Sequence, residues 1–232
     1  MHIAPYQSLH GDSANTDTLP GEVVPGRVPG QRAGDPSGPT GASGYHRPMS
    51  QQTTADRHVS LLRGINVGGH NLIPMARLRG IYEALGSQDV ETYLQSGNVV
   101  VRSYETPEAL AGNVERAIAR ELGLDIKVLA RTHAELQAIV SADPFPDTDP
   151  SRRLVMFLSD APAADKAAEF ARVTSGPDEA ILLGREMHLH CPNGIGRTKL
   201  IQLLSDRRLG VTATARNWRT VTRLLELSGT AT

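Results

Sequence analysis

Between His58 and Arg131 the apolar residues switch between strand spacing and helix spacing in an order that few folds accept. HVSLLRG is a short apolar run suited to a buried strand. PMARLRGIYEALG then places Met75, Leu78, Ile81, Tyr82 and Leu85 at helical spacing, with Pro74 at a favoured first position and Gly86 as the stop. DVETYLQ and GNVVVRS are strand runs joined at Ser96-Gly97, a hairpin signal. TPEALAGNVERAIARELG is a second amphipathic helix, with Thr106 as N-cap, Pro107 at the first position and Gly123 past the end. IKVLAR supplies a fourth strand. The order β-α-β-β-α-β is the split βαβ, or ferredoxin-like, unit. It predicts burial of Leu61, Ile65, Leu78, Ile81, Leu85, Val99, Val101, Leu110, Ile118 and Val128.

The remainder repeats the order. THAELQAIVSADPF reads as a linking helix stopped by Pro144, RLVMFLSD as a strand and PAADKAAEFARV as a helix. EAILLG and REMHLHC form a hairpin, RTKLIQLLSDRRLG a helix ending at Gly210, VTATA a strand and NWRTVTRLLELS a terminal helix. The expected fold class is α+β, with two tandem ferredoxin-like (split β-α-β) subdomains carrying antiparallel sheets, over 58–131 and 132–228. Residues 1–57 read differently. Their 8 Gly and 7 Pro lack apolar periodicity and cannot bury enough surface to offset backbone ordering, which predicts a disordered tail. Met49, just upstream of the first strand, is a candidate alternative start.

Composition removes several functions. A net charge of -1, from 24 Lys+Arg and 25 Asp+Glu, argues against a dedicated polyanion binder. One cysteine, Cys191, excludes an intrachain disulfide and thiolate-rich zinc or iron–sulfur sites within one chain. No apolar run reaches a membrane span, and no secretory signal opens the chain, which predicts a soluble cytoplasmic protein.

The expected topology brings candidate site residues together. The first strand's exit loop, with Arg63, Asn66, Gly68, Gly69 and Asn71, shares a sheet edge with the hairpin bearing Ser96 and Asn98. Glycines admit a ligand close to the backbone, so an anionic or carbonyl-bearing molecule suits this edge. The same residues also suit a plain structural loop, since Asn hydrogen-bonds its own backbone in turns. The second half offers another edge, where Arg197 and Lys199 precede one helix and Arg216, Asn217 and Arg219 open another. From Arg185 to Arg223 there are 8 basic residues against 2 acidic ones, suited either to phosphate or to a solvated face. His188 and His190 face one side of a strand without a third ligand, so no metal site is expected, and Cys191 reads as a buried thiol. Ser96 lacks a nearby His, and the strands HVSLLRG and GNVVVRS lack the aromatics an RNA-binding sheet uses.

LLRGINVGGHNLIPMARLRGIYEALG followed by VETYLQSGNVVVRS, and later RTKL and TARNWRTVTRLLEL, resembles the domain of unknown function 1697 family over about residues 58–227. The resemblance implies two α+β subdomains of ferredoxin-like character and no established activity or cofactor. Members often carry Lys where this chain has His70, which removes a permanent cation from that position. Two functions stand apart. One is a small-ligand protein that binds a phosphorylated or otherwise anionic molecule at the first edge, aided by Arg197, Lys199 and Arg216. The other is a nucleic-acid module using Arg185–Arg223, with a non-catalytic protein-interaction scaffold as a blander alternative. No base or nucleophile stands out, so the residues assign no reaction.

Overall fold

In the computed structural model, which describes residues 55–229, the first half is built from strand β1 (Asp56–Leu62), helix α1 (Met75–Ala84), strands β2 (Gln88–Tyr93) and β3 (Asn98–Ser103), helix α2 (Pro107–Leu122) and strand β4 (Val128–Thr132). Local signals set the helix ends. Thr106 accepts the Ala109 amide at the start of α2, and Gly123 takes the left-handed conformation (φ +68°) that ends it. The strands lie in the order β2-β3-β1-β4, every pair antiparallel. The tail expected over 1–57 lies outside the described residues up to residue 54, while Asp56 and Arg57 already belong to β1.

A capping box at Thr132 starts α3 (His133–Ser141): Thr132 accepts the Glu135 amide and Glu135 accepts the Thr132 amide. The second half continues with β5 (Arg153–Leu158), α4 (Ala164–Phe170), β6 (Arg172–Ser175), β7 (Asp178–Leu183), β8 (Glu186–His190), α5 (Leu200–Leu203), α6 (Asp206–Leu209), β9 (Ala213–Asn217) and α7 (Trp218–Gly229). Its sheet runs β6-β7-β8-β5-β9, again antiparallel throughout.

Two expected elements are corrected. The helix read through Val173 ends at Phe170, and Arg172–Ser175 instead pairs with β7 as an edge strand. The two-residue turn Gly176-Pro177, with Gly176 at φ +63°, returns the chain so that Ser175 faces Asp178. The helix expected over RTKLIQLLSDRRLG is two short helices separated at Ser205, whose backbone is extended. Leu200, Leu204 and Leu209 are all buried in one core. In an unbroken helix, residues nine apart would point in roughly opposite directions. The break turns Leu209 back inward.

Three apolar layers hold the elements. Leu62, Val99, Val101 and Ala130 of the first sheet pack under α1 and α2, with Leu78, Ile81, Leu110, Val114 and Ile118. The opposite face, with Val59, Leu61, Val100 and Leu129, shares a central layer with Val155 and Phe157 of the second sheet and with α3 and α7. Leu154, Met156, Leu158 and Leu189 pack on the far side against Phe170, Leu200, Leu204 and Leu209. All ten positions expected inside are buried except Leu85, which is partly buried. Among the described residues no helix is long and apolar enough to cross a membrane.

Leu78 is fully buried between α1 and the first sheet. Leu78→Ala should lower the unfolding free energy by about 2–5 kcal/mol through lost transfer energy and a residual cavity. Urea denaturation checks this; a cost under about 0.5 kcal/mol, as for an exposed site, would contradict the packing.

Candidate functional site

The loop after β1 and the β2–β3 hairpin meet at one sheet edge. Leu61 lies opposite Asn98, and the Leu62 amide donates to the Gly97 carbonyl at 2.8 Å. Gly97 has φ +78°, and a Cβ there would come within 2.8 Å of Leu62 Cβ and Ile65 Cδ1, so the hairpin tolerates only glycine at that point. Asn66, itself at φ +54°, donates to the Ile73 carbonyl at 3.0 Å and the Gln95 carbonyl at 2.8 Å, and accepts the Ile73 amide at 2.8 Å. Asn71 donates to the Gly64 carbonyl at 3.1 Å. Both asparagines therefore staple the loop, as Asn does in turns. Gly68 and Gly69 form the exposed turn between Val67 and His70. Gly68 has positive φ, but a Cβ there would meet only the His70 ring, at 3.8 Å. Arg63 is exposed and ion-paired with Asp206 of the second half.

Asn98 and Arg216 lie deeper. Asn98 is fully buried; its amide donates to the Tyr93 carbonyl at 2.8 Å and to Ser96 Oγ at 3.2 Å, and its oxygen accepts from Arg216 Nε. Arg216 also donates to the carbonyls of Leu62 at 2.7 Å and Gly97 at 3.3 Å, to Thr214 Oγ1 at 2.8 Å and to the Ala215 carbonyl at 2.9 Å. Burial lowers its pKa to about 10. The guanidinium is thus engaged inside the protein by Asn98 and the Leu62 and Gly97 carbonyls, whereas it was expected to hold phosphate with Arg197 and Lys199.

Arg131 makes the same contact in the opposite direction. It donates from Nε to Glu186 at 2.8 Å, and from its other nitrogens to the carbonyls of Leu158 at 2.7 Å and Ala130 at 2.9 Å. Leu158 ends β5 as Leu62 ends β1, and Ala130-Arg131 stands in β4 as Ala215-Arg216 stands in β9. The strand registers superpose Asn98 on Glu186 and Val100 on His188. Sequence reasoning missed Arg131 and Glu186; the shared Ala-Arg step in β4 and β9 was the available signal.

At the far end of the second sheet, β8 and β9 both run antiparallel to β5, so the loop after β8 and the start of α7 fall at one end. Exposed Arg197 and Lys199 line a cleft of about 340 Å³ with Ser175, Asn193 and buried Asp178. Gly194, next in the chain to Asn193, has φ +100°, and a Cβ there would lie 2.8 Å from the Arg152 guanidinium. Asn217 is exposed at the end of β9, while Trp218 is packed in the central layer beneath the Arg153 guanidinium, 4.7 Å from the ring centre. Cys191 is buried, which pushes its thiol pKa up.

The basic stretch Arg185–Arg223 does not form one positive face. Arg185 pairs with Glu108 and Glu135, Arg208 with Glu169 and Arg223 with Glu226, and Arg216 is internal. Arg197, Lys199, Arg207 and Arg219 have no ion-pair partner among the described residues. His188 is buried and held near neutrality, its pKa lowered by desolvation to about 4. Among the described residues no group of three His, Cys, Asp or Glu converges as a metal site.

Two predictions follow from these environments. Arg216→Ala should cost about 3–5 kcal/mol because it strands buried acceptors, and Arg216→Lys should restore little, since an ammonium lacks the planar fork. Arg63→Ala should cost about 1 kcal/mol or less, as for an exposed pair. Guanidinium denaturation of the three variants distinguishes the roles. The second concerns pH. His188 binds its proton more weakly folded than unfolded, so its contribution is intact above the unfolded value near 6.5 and is lost as pH falls toward about 4. His188→Val should flatten that part of a stability–pH curve.

A family model described as a protein of unknown function (DUF1697) matches residues 55–188. Among solved structures, the chain is similar to the conserved bacterial protein SP0830 from Streptococcus pneumoniae, at 22% identity and a TM-score of 0.62. The similarity covers 75% of this chain and 98% of that one. At that identity the likeness concerns the fold alone. No curated protein matches the chain.

Proposed function

The chain belongs to the DUF1697 family, and from that premise we propose that it binds a small phosphorylated or otherwise anionic molecule in the cleft lined by Arg197 and Lys199. One observation carries the reading. Four of the eight cations of the Arg185–Arg223 stretch are paired or internal; of the four with no ion-pair partner among the described residues, Arg197 and Lys199 share the wall of one cleft. A volume of about 340 Å³ suits a small metabolite, at the low end of ligand sites. Ser175 and Asn193 add neutral hydrogen-bonding groups, and the Asp178 carboxylate favours an anion that also carries a hydroxyl able to donate to it. A phosphate ester of a polyol or sugar has both features.

The first edge enters this reading as scaffold. The side chains of Asn66, Asn71 and Asn98 are hydrogen-bonded within the protein, and Arg63 is paired with Asp206. We read each half as one ferredoxin-like split β-α-β unit, a view supported by the order β2-β3-β1-β4 recurring as β7-β8-β5-β9. A cytoplasmic setting fits a phosphorylated metabolite.

Calorimetric titration with inorganic pyrophosphate tests the proposal. The full chain should bind saturably at one site, and the double variant Arg197→Ala, Lys199→Ala should bind at least tenfold more weakly with an unchanged melting temperature. Equal affinity in the double variant, or no saturable binding by either protein, overturns it. Tight binding of a single-stranded oligonucleotide that falls steeply with salt would favour the nucleic-acid reading instead.

A further inference from the structure

A second concave site lies between α3 and the β7–β8 hairpin, and it differs in character from the Arg197 cleft. Its volume is about 240 Å³, and its walls are Ala138, Ile139, Ala142 and Leu183. The charged groups around it cancel: Arg131 pairs with Glu186 at 2.8 Å, and Arg185 pairs with Glu135. One further polar group lines the cleft, the imidazole of His188. It is only 2% exposed and has no hydrogen-bond partner among the described residues.

Packing alone does not explain a histidine there. The matched position in the first sheet is Val100, buried in the same central layer, so an aliphatic side chain meets the demands of the fold. An imidazole with no hydrogen-bond partner among the described residues brings to the cleft a polar edge that Val100 lacks. Its ring lies tilted against Trp218, with centroids 6.3 Å apart, which limits its orientation. Two ring nitrogens, one donor and one acceptor in the neutral form, are therefore held ready beside an apolar wall.

We infer that this cleft binds a small uncharged molecule with an apolar body and one hydroxyl, of the size and class of phenol, hydrogen-bonded to His188. The size fits: an apolar cavity of about 150 Å³ is known to accept benzene, so about 240 Å³ accommodates a substituted ring. The cancelled charges leave no net attraction for an ion. The hydroxyl satisfies the imidazole, which is the specific element; the ring covers the alanine and leucine walls. This site uses neither Arg197 nor Lys199, so it stands or falls independently of anion binding.

Titration of the full chain with phenol, followed by the His188 ring resonances and by calorimetry, tests the inference. Phenol should saturate one site and shift those resonances, and toluene, which has the shape without the hydroxyl, should bind at least tenfold more weakly. His188→Val should lose tenfold or more in phenol affinity. Ala142→Leu, at an exposed position on the rim, fills the cleft without touching a hydrogen bond and should also abolish binding. That variant keeps the test decisive if His188→Val does not fold. Absence of saturable binding, equal affinity for phenol and toluene, or phenol affinity unchanged in Ala142→Leu would overturn the inference. Pyrophosphate binding should be unaffected in both variants.

Discussion

Arg131 and Arg216 reach across the molecule in opposite directions, each leaving the edge strand of one sheet to bind the backbone at the end of the other. Each guanidinium donates to the carbonyl that closes an inner strand of the partner sheet, Leu158 for Arg131 and Leu62 for Arg216. Those carbonyls lie where β5 and β1 give way to loops, so the sheets do not satisfy them internally. A planar fork of five donors can meet several such acceptors at once. The central apolar layer joins residues of both sheets, Val59, Leu61 and Leu129 with Val155 and Phe157, so the two contacts bridge the same pair of sheets.

The two contacts are not equivalent. Arg131 is balanced by a buried carboxylate, Glu186, while Arg216 meets the neutral amide of Asn98 and a set of carbonyl dipoles. The first arrangement balances the charge and the second leaves it uncompensated; desolvation by burial lowers the pKa of both guanidiniums. The asymmetry continues two residues on, where Val100 in one half corresponds to His188 in the other. The first half closes its edge tightly, with Asn66 and Asn71 stapling the loop; in the second half one cleft opens beside α3 and another at the end of the sheet.

Much of the fold was legible because its signals are local. Thr106, Pro107 and Gly123 act within one turn of α2, and the apolar spacing of Leu78 and Ile81 needs no distant partner to declare itself. Edge strand β6 was less legible because Arg172–Ser175 follows a helix without a break; its one marker was the Gly176-Pro177 turn. The split between α5 and α6 was hidden for a different reason. Leu200, Leu204 and Leu209 satisfy a helical pattern loosely, and only a common core shows that the last must rotate inward. Of the candidate residues, Arg63, Asn66, Ser96 and Asn98 were legible as neighbours, but Arg216 was legible only as basic.

The sequence by itself determined the succession of strands and helices in the first half and the meeting of the β1 loop with the β2–β3 hairpin. These rest on backbone propensity, caps and apolar period, all of which act over a few residues. Only the tertiary structure decided which polar groups face solvent and which are used up inside. Asn98 and Arg216 are 118 residues apart in the chain, and Arg63 and Asp206 are 143 apart. No local pattern encodes such pairs, because a charge or amide selects its partner by distance and desolvation once the sheets have packed. Among the described residues the same selection leaves Arg197 and Lys199 without carboxylate partners and His188 without a hydrogen bond, so the candidate sites are properties of the packed molecule.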